Sequence, residues 1–568
     1  MKRILCFALT ALLLAFSAAC AASDPNDSAA TAAEVPALES ALPDTGSGTP
    51  PELPEGMGTP PELPEGMGAP PELTDGMGAP PELTDGMGTP PALPDGMGTP
   101  PALPDGETGE RPSGVPGKPG ERPSGKPDGK GDRPSGKPDG KGERPSGKPD
   151  GAGNPGGKPG GSASDVSYAG AVTVSSADMQ ENQTYASTTA DESALMISTS
   201  DAVTITNPTV TKTGDSDGGD NCNFYGLNAA VLVKDGASVT ITGGTITSSA
   251  SGANGVFCYG GNGGSNGAAG DGTTVTISDT VITTTGSGSG GIMTTGGGVT
   301  NANNLTVTTS GQSSAAIRTD RGGGTVYVNG GAYTSNGLGS PAIYSTAEIH
   351  VANATLVSNL SEGVCIEGKN SIELVDCNLT ASNTKCNGNA TFFDSIMIYQ
   401  SMSGDADSGT SSFTMTGGTL TSKNGHVFHV TNTNAIITLT GVTLINEDGE
   451  NILLSVCADG WSGAGNVATL NAIHEALSGT ILVGSDSELT LNLTDGSTFT
   501  GAVSGSITNA KGTSVSTDVG TVHVTLDSTS TWTLTADTYV TSFTGDASNV
   551  ISNGYTLYVN GVALTGTK

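Results

Sequence analysis

Positive charge is scarce in this chain. Its 568 residues hold 22 Lys and Arg against 56 Asp and Glu, a formal net charge of −34 at pH 7. This argues against nucleic acid and anionic membrane surfaces as electrostatic partners, because both call for a basic face. Aromatic residues make up only 4% of the chain, so any row of them stands out. Long apolar runs are also missing. The one extended run, residues 4–16, is too short to cross a bilayer. No C-terminal hydrophobic segment or sortase-type motif is found, and convincing helical periodicity is absent apart from residues 472–477.

The apolar run has a specific setting. Lys2 and Arg3 precede it, and Ser17-Ala-Ala-Cys20 follows it. A basic start, an apolar stretch and small residues at a cleavage point make a secretory signal. The last four residues resemble a bacterial lipobox, in which the cysteine becomes the lipidated first residue of the mature chain; Ser17 departs from the leucine usual there. Residues 1–20 are therefore expected to be a lipoprotein-type signal with Cys20 lipidated. Ordinary cleavage and full secretion is the alternative. Either way the protein is expected outside the cytoplasm, on a bacterial surface or secreted.

Residues 21–165 are Pro, Gly and charge. From Gly48 a ten-residue unit repeats, as in Gly48-Thr-Pro-Pro-Glu-Leu-Pro-Glu-Gly-Met57, and from Gly120 an eleven-residue unit takes over. Proline removes an amide donor and glycine weakens any helix or strand. Such a segment cannot offset its ordering entropy, and it is expected to be a disordered, partly polyproline II stalk. A ligand for a proline-recognising domain or the cell wall is the competing expectation.

Residues 166–568 carry a different pattern. Alternating β-branched residues, a Gly or Asn pair, and a second alternation recur, as in Val239-Thr-Ile-Thr-Gly-Gly-Thr-Ile246, Val326-Tyr-Val-Asn-Gly-Gly-Ala-Tyr333 and Phe413-Thr-Met-Thr-Gly-Gly-Thr-Leu420. Period-two alternation means strands, and the Gly or Asn lets the chain bend between them. A second ladder reads small-small-apolar: Ala229-Ala-Val231, Asn254-Gly-Val256, Gly290-Gly-Ile292, Ala315-Ala-Ile317, Pro341-Ala-Ile343 and Glu362-Gly-Val364. A repeat of this size, whose apolar face needs a neighbour to cover it, indicates a solenoid. The expected fold is all-β, a single-stranded right-handed parallel β-helix, with Ile241, Ile277, Val328, Val351 and Leu439 facing inward. Trp532-Thr-Leu534 and Tyr555-Thr-Leu-Tyr558 are expected to close the last coil.

With this repeat, and with stretches such as Ser313-Ser-Ala-Ala-Ile-Arg-Thr-Asp-Arg-Gly-Gly-Gly324, Asn370-Ser-Ile-Glu-Leu-Val and Gln400-Ser-Met-Ser-Gly-Asp-Ala406, the region resembles the adhesin-like right-handed parallel β-helix proteins of bacterial surfaces, which share the pectin-lyase-like fold. The resemblance implies surface display and contact with extracellular polysaccharide, cell-wall or host matrix, and it implies no reaction. Polysaccharide lyases and glycoside hydrolases acting on uronate-containing polymers share that fold, so an enzyme is the alternative, and a purely structural surface spacer is another. The arginine-proline-arginine pattern of pectate lyases and the clustered aspartates and His signature of polygalacturonases are not seen. His350, His426, His429, His474 and His523 are scattered in sequence.

Arg318 and Arg321 are the only arginines after Arg144, and with Asp320 they form Arg-Thr-Asp-Arg. An ion pair at a turn is the alternative to a site. In the second ladder the residue after the inward Val or Ile should point outward. That row reads Leu232, Phe257, Met293, Arg318, Tyr344, Cys365, Met397 and Phe428. Exposed aromatic and apolar groups beside a guanidinium suit a sugar. Arg318, Asp320, Arg321, Phe257, Met293 and Tyr344 are thus the candidate binding residues, unless long turns cover the row. No cofactor is called for. Calcium is the one metal considered, at Asp215, Asp217 and Asp220, where alternating carboxylates place hard oxygens on one loop; solvated acidic turns are the alternative. Beyond residue 165 there are 32 Asp and Glu against 9 Lys and Arg. Six cysteines remain after Cys6 and Cys20. An exported protein permits disulfides, but spacing does not give their pairing. A monomer is expected.

Overall fold

The computed structural model describes residues 166–263, 269–386 and 388–568. The expected signal with Cys20 and the expected Pro/Gly-rich stalk lie outside the described residues. What is described is a parallel β-solenoid. Each coil lays one strand in a first sheet and two in a second. One coil, for example, runs Val231–Lys234, then Ser238–Thr242 and Thr245–Ser248, and returns at Val256–Tyr259 beside its own start. Among the described residues the first sheet has 15 strands and the second 22, and every pairing within them is parallel.

The sequence pattern explains the corners. Between the two strands of the second sheet the chain takes a positive φ at Asn207 (48°), Asp279 (53°), Asn304 (51°), Asn353 (57°) and Asp376 (50°), and at the glycine pairs that begin with Gly243 (68°), Gly330 (72°) and Gly417 (63°). Only Gly, Asn and Asp adopt that conformation at little cost. The same geometry brings the β-branched residues of both flanking strands inward. Ile241, Ile277, Val328, Val351 and Leu439 are all buried in one continuous core.

The small-small-apolar ladder also has a steric cause. A Cβ on Gly255 would lie 2.5 Å from Ile282 Cγ2, and one on Gly291 would lie 2.3 Å from Val307 Cγ1. The chain enters the first sheet where it passes closest to the opposite wall, so side chains there must be small. Stacked serines tie neighbouring turns together: Ser289 N donates to Ser314 Oγ at 2.9 Å, and Ser314 N to Ser340 Oγ at 2.8 Å.

Three expectations need correction. Residues 472–477 are not helical: strands Asn466–Ile473 and Ala476–Val483 meet at His474, whose φ is 56°. Ladder hydrogen bonds to coils on both sides override the local helix propensity of Ala, Glu and Leu. A short helix, Asp220–Tyr225, appears where the sequence suggested only an acidic turn. The expected closing strands play different parts. Thr531–Leu534 is an ordinary rung with Trp532 buried and stacked on Phe499 at 5.6 Å. Leu557–Val559 belongs to a separate three-stranded sheet that includes the antiparallel strand Val562–Ala563.

Candidate functional site

The outward row of the first sheet exists in register. Leu232, Phe257, Met293, Arg318, Tyr344, Cys365 and Met397 are successive Cα partners. The next members are His429 and Ser455, not Phe428. Phe428 pairs with Ile396 and lies in the core, because Val427 takes the small-residue position that Gly363 and Ser395 fill in the preceding coils. A large residue at a small position had shifted the sequence register by one.

Most of this row is covered. Phe257 and Met293, expected to be exposed, are 0% and 1% exposed. The helix Asp220–Tyr225 causes this by laying Phe224 and Tyr225 over Leu232, Phe257, Tyr259 and Met293 as a second apolar cluster. Further along, Cys365 and Met397 pack under Ala390, Cys386 and Trp461, and Leu482 packs under Phe392 and Ile507. Between these covers Arg318 and Tyr344 stay partly exposed. With Tyr399, Pro341, Ser313, Ala315 and Gly339 they line an open recess of about 220 Å³.

The charges at the recess are tightly organised. Arg318 Nη2 meets Asp320 Oδ2 at 2.6 Å, and the guanidinium sits 5.5 Å from the Tyr344 ring centre. Nη1 makes only two long contacts, at 3.4 Å to Asn223 Oδ1 and to the Ser313 carbonyl. Burial pushes the Asp320 carboxyl up to about 6, although Arg318 pulls it down. Arg321 turns the other way, pairing with Asp405 at 2.6 Å and lying 4.1 Å over the Phe224 ring. It pins the cover in place and does not line the recess. The structure therefore groups Arg318, Asp320 and Tyr344 and leaves Arg321, Phe257 and Met293 outside the recess lining.

Glu367 and Tyr399 escaped the sequence reading. They stand two residues after Cys365 and Met397 in the same rungs, so alternation puts them on the same outward face. Glu367 Oε2 accepts from Tyr344 Oη at 2.5 Å and from Tyr399 Oη at 3.0 Å, while Ser401 and Ser403 hold Oε1. Burial and this carboxylate push both phenols well above their ordinary range. Trp461 packs against Tyr399 with ring centres 4.9 Å apart. The two tyrosine rings are thus held rigidly, and their hydroxyls are already committed.

Two histidines that are merely scattered in the sequence converge. Ser455 Oγ lies 2.7 Å from Nδ1 of both His426 and His429, and His429 Nε2 lies 3.5 Å from Asp459 Oδ2. Thr391 fixes the other Asp459 oxygen through its amide and hydroxyl. One hydroxyl can donate to only one imidazole, so it donates to one ring and accepts from the other. The constellation resembles a nucleophile and its base, but Ser455 and His429 are both 0% exposed. This is a polar stitch between coils, and only His426 of the three reaches the wall of an open recess.

The aspartates considered for calcium are dispersed. Asp215, Asp217 and Asp220 are exposed. Asp215 accepts from Ser251 N at 2.8 Å, which ties its turn to the next coil, and Asp220 opens the short helix. Among the described residues no three His, Cys, Asp or Glu side chains converge as a metal site would require. The six cysteines beyond Cys20 are free thiols.

No protein-family profile matches the chain, and no curated protein sequence is similar to it. The class that the architecture defines is the parallel β-solenoid.

Proposed function

We propose that this protein is an extracytoplasmic, surface-displayed β-solenoid that binds an acidic extracellular glycan without cleaving it. The observation that carries the reading is the recess at Arg318, Tyr344 and Tyr399, open between two covered stretches of the first sheet's outward row. A guanidinium with one nitrogen loosely held can form charge-assisted hydrogen bonds with a uronate carboxylate or a sulfate. Rings fixed from behind offer area at small entropic cost. Hydrolysis by paired carboxylates would need two of them open to the substrate. Here Asp320 is 3% exposed and Glu367 is enclosed by four hydroxyls. Export and lipid anchoring at Cys20 rest on the sequence pattern of residues 1–20.

A glycan array probed with the purified protein tests this. Retention of uronate- or sulfate-bearing glycans, weakened by Tyr399→Ala and with no new reducing or unsaturated ends, is the expected outcome. Cleavage products, or retention unaffected by the variant, would refute it.

A further inference from the structure

The second sheet carries a solvent-facing row quite unlike the first. Asn301, Tyr327, His350 and Glu373 are successive Cα partners on four adjacent coils. Two residues on, Asn303, Asn329, Ala352 and Val375 form a parallel row. Because Ala352 and Val375 are short, an axial groove of about 420 Å³ opens between the rows, with Tyr327 and His350 as its wall and mostly apolar surface inside. Tyr327 is 47% exposed and stacks on the His350 ring at 5.1 Å and 13°.

Two carboxylates fix that imidazole. His350 Nδ1 lies 2.8 Å from Glu373 Oε2, and Nε2 lies 3.0 Å from Glu348 Oε1. Even with His350 protonated, the trio keeps one net negative charge. Most exposed aromatics of a soluble protein stand singly; here one is built into a charged ladder facing an open groove.

We propose that this groove is a second, independent binding site, for a linear glycan bearing free protonated amines, such as a run of de-acetylated amino sugars. An ammonium is attracted both by the carboxylate side of the ladder and by the Tyr327 ring. The carboxamides of Asn301 and Asn303 supply donors and acceptors for hydroxyl groups. The apolar groove surface suits the C–H faces of sugar rings, and the groove's direction along the coils suits a chain. The charged groups at the groove, Glu373 and Glu348 about His350, favour a cationic ligand over an anionic one there. The site is on the other sheet from Arg318 and does not rest on the recess there.

The test is calorimetric titration of the full chain with a glucosamine hexasaccharide and with its fully N-acetylated counterpart. The amine form should bind at least tenfold more tightly than the acetylated form. Tyr327→Ala and the near-isosteric Glu373→Gln should each weaken it tenfold or more, while Arg318→Lys leaves it unchanged. Both ladder residues are exposed, so circular dichroism should show an unaltered fold. Equal binding of the two oligosaccharides, insensitivity to both variants, tighter binding of an oligolysine peptide, or no binding at all would overturn the proposal.

Discussion

Arg318 and Asp320 stand two residues apart on the same outward face of one rung and meet at 2.6 Å, the guanidinium side chain 13% exposed and the carboxylate 4%. The pair is therefore both part of the recess and part of the packing. As an outward residue Arg318 would be dispensable for folding; paired to a buried acid it is not. Arg318→Ala should lower stability by about 1–3 kcal/mol, the cost of orphaning a buried polar partner. A chemical melt of that variant beside Arg318→Lys measures it.

The same pair sets a pH dependence. Asp320 has a folded-state value of about 6, above its value near 4 in an unfolded chain. The folded state therefore holds the proton more tightly. The stability this contributes is fully present below about pH 4 and is lost as pH rises through about 6. Asp320→Asn should remove that slope between pH 4 and 6. Protonation of Asp320 also frees Arg318, so an acidic glycan should bind more tightly at pH 5.5 than at pH 7.5, measurable by titration at the two values.

Phe257 gives a contrast. Had it been exposed, its truncation would be almost silent. Under the Asp220–Tyr225 helix it is fully buried with Tyr225, Tyr259 and Met293. Phe257→Ala should cost about 3–5 kcal/mol, visible as a fall in denaturation midpoint, whereas Tyr327→Ala on the open sheet should fall within about 0.5 kcal/mol of the parent.

His426 provides an acid-sensitive element. Burial, with the neighbouring His429, pulls its imidazole down to about 3. The depressed value means the unfolded chain binds a proton that the folded chain refuses. Stability should therefore fall as pH drops below about 6.5, opposite in sign to Asp320. His426→Gln should flatten that acid limb. Ser455→Ala leaves two imidazole nitrogens without their shared partner and should cost about 1–3 kcal/mol. Thermal melts across pH 4–7 of both variants check these signs.

The sequence shows the coil because its rules are local. Alternation and the Gly, Asn or Asp at each corner determine which residues face the core, so Ile241 and Val351 are legible without a structure. The outward row was equally legible up to Met397 and then slipped at Val427, where one side chain broke the size pattern. What covers the row was not legible. Six residues around Phe224 form a helix only because an apolar row waits beneath them, which is a tertiary cause. Tyr327, His350 and Glu373 lie at one position of three successive repeats, 23 residues apart in each step. Aligning outward residues of the second sheet as well as of the first would have found them. His426, His429 and Ser455 meet on adjacent rungs of the first sheet, which the slipped register hid, and Asp459 joins them from a loop that no spacing encodes.

In the proposed function the recess at Arg318 holds an acidic sugar and does not cut it. Calorimetric titration of the full chain with a tetragalacturonate, parent against Tyr399→Ala, checks both halves of that statement. A saturable heat at pH 5.5 that falls at least fivefold in affinity in the variant, with the tetrasaccharide recovered intact, is the expected result. No saturable heat in the parent, an unchanged affinity in the variant, or recovery of shortened oligosaccharides would contradict it.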